Sequence, residues 1–509
     1  VPVASTESRV LLTIAVMSAA FLQILDTTIV NVALPHMAGE LSATPDQISW
    51  VLTSYLVATG IMLPLTGYFT DRWGQRRFLF TSILGFVIAS GLCGVSTNLP
   101  ELVCFRILQG VFGAPLIPLS QSILVQAFPA EERGRAMAIW GMGIMVAPIL
   151  GPTLGGYLTD ALDWRWTFFI NLPMGVMSLL IAMRTVPDTQ RRGRAFDWVG
   201  LVLIFCAIGG LQFFLDRGNQ EDWFESNTMC FVAALSTAGF IAFIARGLAL
   251  GKRALFDLHI FRDRNFTTGC SLVTMYQMSL FGAILLTPLY LENLLGYPAD
   301  LAGLLMAPRG IAGLVSMLAV GRLITRIAPR TLILIGIALW TLGSFPMTYY
   351  SLQINTWFLI WPMVIQGLGL GFIFVPGATI AYATLPPAVS AEAAGLYNLI
   401  RTVGASVGIS ITAMILTRQT QVAWNETGSQ IHPFSPALDA YLGPLGMNLA
   451  HPHAPAVLAH ELGRQAQMIG MVDALAAIAW SFLLMLPVAF LLQGGHPHRA
   501  AEPTIVASE

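Results

Sequence analysis

Long apolar runs separated by short polar or Gly/Pro clusters dominate the chain. They fall at about 10–33, 48–70, 78–97, 102–126, 136–158, 167–186, 198–215, 229–250, 268–290, 301–321, 331–350, 357–382, 396–417 and 468–492. Each is close to the roughly 20 residues that a helix needs to cross the hydrocarbon core of a bilayer. The pattern predicts an all-α integral membrane protein with 14 transmembrane helices. Residues 1–9 are polar, and the apolar run after them is longer than the h-region of a signal peptide, so it reads as the first span.

Charge placement tests this count, because one missed span would swap the sides of every later loop. With the N-terminus in the cytoplasm, 19 of the 26 cationic side chains lie in inner segments and three, Arg106, Arg309 and Arg401, lie within spans. Only Arg165, Arg217, Arg418 and Arg464 lie outside. The asymmetry predicts an even number of spans with both termini cytoplasmic.

An internal repeat runs through the same pattern. Gly67-Tyr-Phe-Thr-Asp-Arg72 at the end of the second span recurs as Gly321-Arg-Leu-Ile-Thr-Arg326 at the end of the tenth, an offset of 254. Gln109-Gly110-Val-Phe-Gly113 recurs as Gln366-Gly367-Leu-Gly-Leu-Gly371, an offset of 257. Both copies keep their orientation, which predicts a parallel repeat around an axis along the membrane normal. Six spans with their loops need fewer residues than this offset. The excess leaves room for two inserted helices, and the expected division is 1–190, a six-helix half; 191–267, the inserted helices and linkers; and 268–509, a second six-helix half.

Composition narrows the function classes. Of 509 residues, 55% are hydrophobic and 10% charged, with mean hydropathy +0.70, against about 25% charged in a soluble domain. A net charge of −1 gives no reason to expect a nucleic-acid partner. The five cysteines form no CxxC pair and read as small core residues. His451-Pro-His453 has no surrounding Cys, Asp or Glu pattern that would make it a metal site. The string nearest to a nucleotide-binding loop, Gly247-Leu-Ala-Leu-Gly251-Lys252-Arg253, is one spacer short and lacks the Ser/Thr. Transport driven by an ion gradient, without ATP or another cofactor, is the expectation. A membrane enzyme would need a nucleophile and base on inward faces, and a sensor would need a soluble output domain; neither pattern is present in the sequence.

Three motifs point to a family. Gly67-Tyr-Phe-Thr-Asp71-Arg72-Trp-Gly74-Gln-Arg76-Arg77 resembles the loop 2–3 signature of the major facilitator superfamily. Leu25-Asp26-Thr-Thr-Ile-Val-Asn-Val-Ala-Leu-Pro35 resembles the first-helix motif of its fourteen-span drug:proton antiporters. Ala147-Pro148-Ile-Leu-Gly151-Pro152-Thr-Leu-Gly155-Gly156 resembles their fifth-span antiporter motif. The resemblance implies the major facilitator fold and, for the EmrB-like branch, multidrug efflux across a bacterial inner membrane. It also implies a periplasmic EmrA-like adaptor and a TolC-like outer-membrane channel as partners, beside membrane lipids and small hydrophobic or amphipathic substrates. A proton-coupled symporter, or an exporter of one specific metabolite, is the alternative.

Helix arithmetic supplies candidate chemistry. Asp26 lies nine residues, about 13 Å, below Pro35 at the outer end of its span, and Arg106 lies six residues, about 9 Å, below Pro100. Two opposite charges at similar depth make either a proton-coupling pair or a permanent structural ion pair. Asp473 is the alternative carboxylate, read otherwise as an interfacial group or helix cap. Gln23 shares the Asp26 face and Gln109 the Arg106 face. With Gln366, these amides are candidates for lining a substrate cavity or for holding helices together. Arg309, near the depth of Asp26, is a candidate for attracting acidic substrates or for pairing with a carboxylate. The family resemblance gives Asp71, Arg72, Arg76 and Arg77 the role of a cytoplasmic latch, and Pro148, Gly151, Pro152, Gly155 and Gly156 that of a tight, leak-limiting helix contact. The outer loop at 418–467 is long for a bundle connection; its first part carries proline breaks, whereas Ala456 to Gln467 can form a helix with Val457, Leu458 and Leu462 on one face.

Overall fold

The computed structural model describes residues 6–43, 45–48, 50–63, 65–189, 197–218, 221–251, 254–386, 389–429, 438, 441–445, 451 and 453–492. These are helical, with no strand among the described residues. In chain order the main helices are α1 (Thr6–Glu40), α2 (Trp50–Met62), α3 (Thr66–Trp73), α4 (Gln75–Val95), α5 (Leu99–Gly113), α6 (Leu116–Ala127), α7 (Ala130–Ala161) and α8 (Asn171–Thr185). The inserted region holds α9 (Trp198–Ile204), α10 (Gly210–Arg217) and α11 (Asn227–Leu250), with a π-helical turn at Phe205–Gly209 between the first two. The second half holds α12 (Arg264–Leu289), α13 (Ala299–Leu323), α14 (Pro329–Ser344), α15 (Thr356–Ala383), α16 (Ser390–Ser429), α17 (Ala454–Leu483) and α18 (Met485–Phe490).

Local sequence sets these boundaries. Side chains of Asn98, Asp263 and Asn355 accept hydrogen bonds from the N–H groups of Glu101, Phe266 and Trp357, satisfying the free donors that open α5, α12 and α15. Gly74 takes φ +84° between α3 and α4, a conformation that a side chain disfavours. Among the described residues 12 helices are long and apolar enough to cross a membrane, or 13 if the bent pair α2/α3 is one span. That pair differs from the straight span expected at 48–70: its two parts meet at 58°.

The outer loop differs from expectation too. Residues 418–429 continue α16, a helix of 40 residues, and α17 already begins at Ala454. The two run together past the expected span ends, with Gly463 against the Trp424 ring and Gly428 against Leu462. Leu458 packs on Leu438, Leu442 and Ala454. The proline-rich stretch at 430–437, with Pro452, lies outside the described residues.

The two copies of the Gln-Gly motif sit at matching helix crossings. A Cβ on Gly110 would stand 2.6 Å from the Tyr55 carbonyl oxygen, and one on Gly367 would collide with the Arg309 carbonyl oxygen. The same close crossing is thus built twice, α5 on α2 and α15 on α13. The inserted helices bridge the two halves: Phe213 packs near Trp50, and Gln212 accepts a hydrogen bond from Ser406 at 2.9 Å. Their other faces leave Trp198, Val202, Phe205, Phe231, Ile241 and Leu248 exposed, as a lipid-facing surface requires.

Candidate functional site

A buried polar cluster lies where α1, α2, α4, α5 and α8 converge. Asp26 and Arg106 are both completely buried and their side chains meet at 2.7 Å. The two residues that helix arithmetic put at similar depth are thus in contact. Asp26 Oδ2 accepts from Arg106 Nη1, while Oδ1 accepts from Gln109 Nε2 at 2.7 Å and from Asn171 Nδ2 at 2.9 Å. Arg106 also donates to Gln109 Oε1 at 2.7 Å and, through Nε, to the Val51 carbonyl at 3.0 Å. The Tyr55 ring covers the guanidinium at 4.2 Å. Asn171 is held in turn by Ser90 at 3.0 Å, which donates to the Phe168 carbonyl. Removing two charges from water is costly unless both are paired and their remaining lone pairs and protons are used; here both carboxylate oxygens are occupied, while Arg106 Nη2 is left without a hydrogen-bond partner.

The other predicted residues divide. Gln109 belongs to the cluster. Gln23 is buried on the same helix face as Asp26, yet its Oε1 has no hydrogen-bond partner and it makes no contact with the carboxylate. Gln366 sits in the second half, donating to Ser344 Oγ at 2.9 Å. Arg309 is buried in α13 over the Trp340 ring, 5.2 Å from its centroid. Asp473 is half-buried in the middle of α17, so it is not a helix cap. Asn171, Ser90 and Tyr55 went unrecognised in the sequence. Asn171 carried a usable signal: it lies five residues inside a span entering from the outer side, the same arithmetic that placed Arg106.

The antiporter-type segment of α7 packs on α1. Gly151 lies against Thr28, and a Cβ on Gly155 would stand 2.8 Å from the Ile29 carbonyl oxygen. Gly156 is open and Pro148 exposed, so the close contact uses one face; the Pro152 side chain lies outside the described set. At the arginine-rich end, Arg76 donates to the Met183 carbonyl at 2.6 Å, within its own half, and Arg72 and Arg77 are exposed. Asp71 is half-buried nearby. Further residues bring the two halves into contact at this end. Gly67 lies under Glu392, with a Cβ reaching 2.9 Å from its Cα. Asn398 donates to Gln121 at 2.6 Å, Gln126 donates to Ser390 at 2.9 Å, and Ser122 meets Ser390 at 3.1 Å. A Cβ on Gly134 would meet Ile324, and one on Gly321 would meet Ala138.

Against known proteins, the family model described as Major Facilitator Superfamily matches residues 16–409. The chain belongs to the major facilitator superfamily. It is 36% identical over 481 residues to the multidrug export protein EmrB of Escherichia coli K12, covering 94% of each chain. It is 35% identical over 490 residues to the fatty acid resistance protein FarB of Neisseria gonorrhoeae, covering 94% of this chain and 96% of that one. Among solved structures it resembles the human organic anion transporter MFSD10, with TM-score 0.62 at 13% identity over 96% of this chain and all of that one. It also resembles the proton:xylose symporter XylE, with TM-score 0.61 at 15% identity over the same shares. At these identities the structural likeness establishes the fold alone. This is a multi-span helical membrane protein of a transporter superfamily.

Proposed function

We propose that this chain is a secondary active multidrug exporter, in which proton antiport drives efflux of hydrophobic or amphipathic toxic compounds across a bacterial inner membrane. The Asp26 cluster carries the reading. An ionised Asp26 accepts three hydrogen bonds; protonation at Oδ2 makes that oxygen a donor facing the donor Arg106 Nη1, while Oδ1 can still accept from Gln109 and Asn171. Proton uptake therefore forces the packing of α1 and α5 to change, and proton release restores it. Because α1 also packs on α7 through Gly151 and Gly155, a change at Asp26 is passed to the helix that faces α13 across the two halves.

The finer architecture follows from the same reading. Fourteen spans result when α7, whose 32 residues extend about 48 Å, joins the 12 long helices and the bent pair. Both termini are then cytoplasmic, and the arginine-rich end, with its latch residues Asp71, Arg72, Arg76 and Arg77, is the inner end. Contacts between halves close that end in the present conformation. The extended α16/α17 hairpin is then periplasmic, where it would meet an EmrA-like adaptor leading to a TolC-like channel. Names of relatives as alike as EmrB and FarB support export of multiple, partly apolar compounds.

The decisive measurement is ethidium efflux from proteoliposomes driven by a pH gradient. Asp26→Asn should abolish it, roughly 100-fold or more, and Asp473→Asn should retain it. Retained pH-driven efflux in Asp26→Asn overturns the assignment of the proton to Asp26.

A further inference from the structure

The second half buries a cation that no carboxylate among the described residues neutralises. Arg309 is 7% exposed, and neither Nη1 nor Nη2 has a hydrogen-bond partner. Beside it lie further unused donors. Trp340, whose ring lies under the guanidinium, has no acceptor for Nε1–H. Tyr276 packs edge-on to that indole, 5.8 Å between centroids, and its hydroxyl is likewise without a partner. Arg401 is near enough to act electrostatically on the same Tyr276. Burying one unsatisfied donor is costly, and burying several around an unpaired positive charge is more so. The group missing from this constellation is an acceptor carrying negative charge.

We propose that Arg309, Tyr276 and Trp340 form the anion-binding subsite of the transporter, taking the carboxylate of an amphipathic substrate. Its own residues match a carboxylate in the number of donors. Two oxygens offer about four lone-pair positions, and a guanidinium fork, an indole N–H and a phenol O–H can fill them. The neighbourhood is apolar. Phe482 stacks on Trp340 with centroids 5.0 Å apart, and an apolar cavity bordered by Leu272, Tyr276, Ile333, Phe374 and Tyr397 adjoins the site through Tyr276. In Arg106 the equivalent need is met by Asp26; at Arg309 the ligand would meet it. The subsite rests on the proposed export function and names one class of its substrates, long-chain carboxylates and other amphipathic weak acids in their ionised form.

The test compares three probes with one tail, dodecanoate, dodecanol and dodecyltrimethylammonium, binding to the purified full chain in nanodiscs without any gradient. Quenching of intrinsic tryptophan fluorescence reads the affinity. Dodecanoate should bind at least about tenfold tighter than the other two, the scale of charge-assisted hydrogen bonds. Arg309→Gln should remove that preference, Arg309→Lys should keep part of it, and Tyr276→Phe should reduce it severalfold. Dodecanol binding serves as the check that each variant is folded. Equal affinity for dodecanoate and dodecanol in the wild type, or a preference that survives Arg309→Gln, overturns the proposal. Ethidium efflux by the wild type is measured separately, so a transporter without carboxylate preference and a carboxylate binder without pH-driven transport give different results.

Discussion

The two halves each bury an arginine beside the same kind of helix crossing, and they treat the charge in opposite ways. Gly110 lets α5 approach the carbonyl of Tyr55, and Gly367 lets α15 approach the carbonyl of Arg309. In the first half the cation comes from α5, as Arg106, and the neighbouring α2 supplies the Tyr55 ring that covers it. In the second half the position at the crossing on α13 is itself the cation, Arg309, and the ring comes from Trp340 on α14. Asp26 neutralises the first; no carboxylate among the described residues neutralises the second. A repeat thus conserves backbone geometry, which sterics dictate, while leaving the charge chemistry of each copy free to diverge. One half gains a group that can exchange a proton, and the other a field that attracts an anion.

The largest effects should come from breaking this contrast at the arginines. Arg106→Gln leaves Asp26 buried without its cation, and removing one partner of a buried pair costs about 3–5 kcal/mol. Arg309→Gln removes a charge whose desolvation is offset only by the Trp340 face, worth up to about 2 kcal/mol. Thermal unfolding in detergent should therefore give a strongly lowered Tm for Arg106→Gln and an unchanged or raised Tm for Arg309→Gln. Equal losses in the two variants would mean that Arg309 is compensated in a way the contrast denies.

How much of this was legible in the sequence depends on the kind of signal. Long apolar runs set most of the spans, because a membrane helix needs a fixed length of them. The depth match of Asp26 and Arg106 was legible because both lie a countable number of residues below a proline at the same side. Gln23 passed the same helical-face test as Gln109 and yet bonds nothing at Oε1. A shared face on one helix says nothing about which neighbour is opposite. Ser90 and Asn171 were missed because single small polar residues inside apolar runs disturb no periodicity, and their roles arise only when α4 and α8 pack together. The bend between α2 and α3, and the helical continuation of α16 into the expected outer loop, depend on tertiary packing in the same way.

An intermediate effect is expected at the crossings themselves. Gly110→Ala would place a Cβ 2.6 Å from the Tyr55 oxygen and 2.9 Å from Ala58 Cβ. Gly367→Ala would press on the Arg309 backbone and stand 2.9 Å from Ala312 Cβ. Overpacking of this kind costs about 1–3 kcal/mol, and it should do so in both halves, since backbone geometry is what the repeat shares. Gly156→Ala, with nothing within 4 Å, should be neutral or stabilise its helix by up to about 1 kcal/mol. Melting curves of the three variants check the point: a large loss in only one half would show that the crossings are not equivalent.

The smallest effect lies outside both halves, where Asp197 opens the inserted helices. Its carboxylate accepts from Gly200 N at 2.9 Å and from Arg246 Nη2 at 2.8 Å, and Leu255 N donates to it at 3.3 Å. Burial opposes ionisation of Asp197, but the hydrogen bonds from Arg246 and Gly200 outweigh it and hold the carboxyl below the usual range. A carboxylate whose folded-state pKa is depressed stabilises the fold above its unfolded value, about 3.9, and that contribution disappears as pH falls through the folded value. Asp197→Asn should therefore lower Tm slightly at pH 7, and by less as pH falls below the unfolded value through the folded one. Unlike Arg106 and Asp26, this pair is reached by water on the arginine side, which is 33% exposed, and solvent screening keeps such pairs weak. A Tm loss at pH 7 as large as that of Arg106→Gln would place the inserted helices among the elements that hold the two halves together, a role that the Gln212–Ser406 bond alone does not give them.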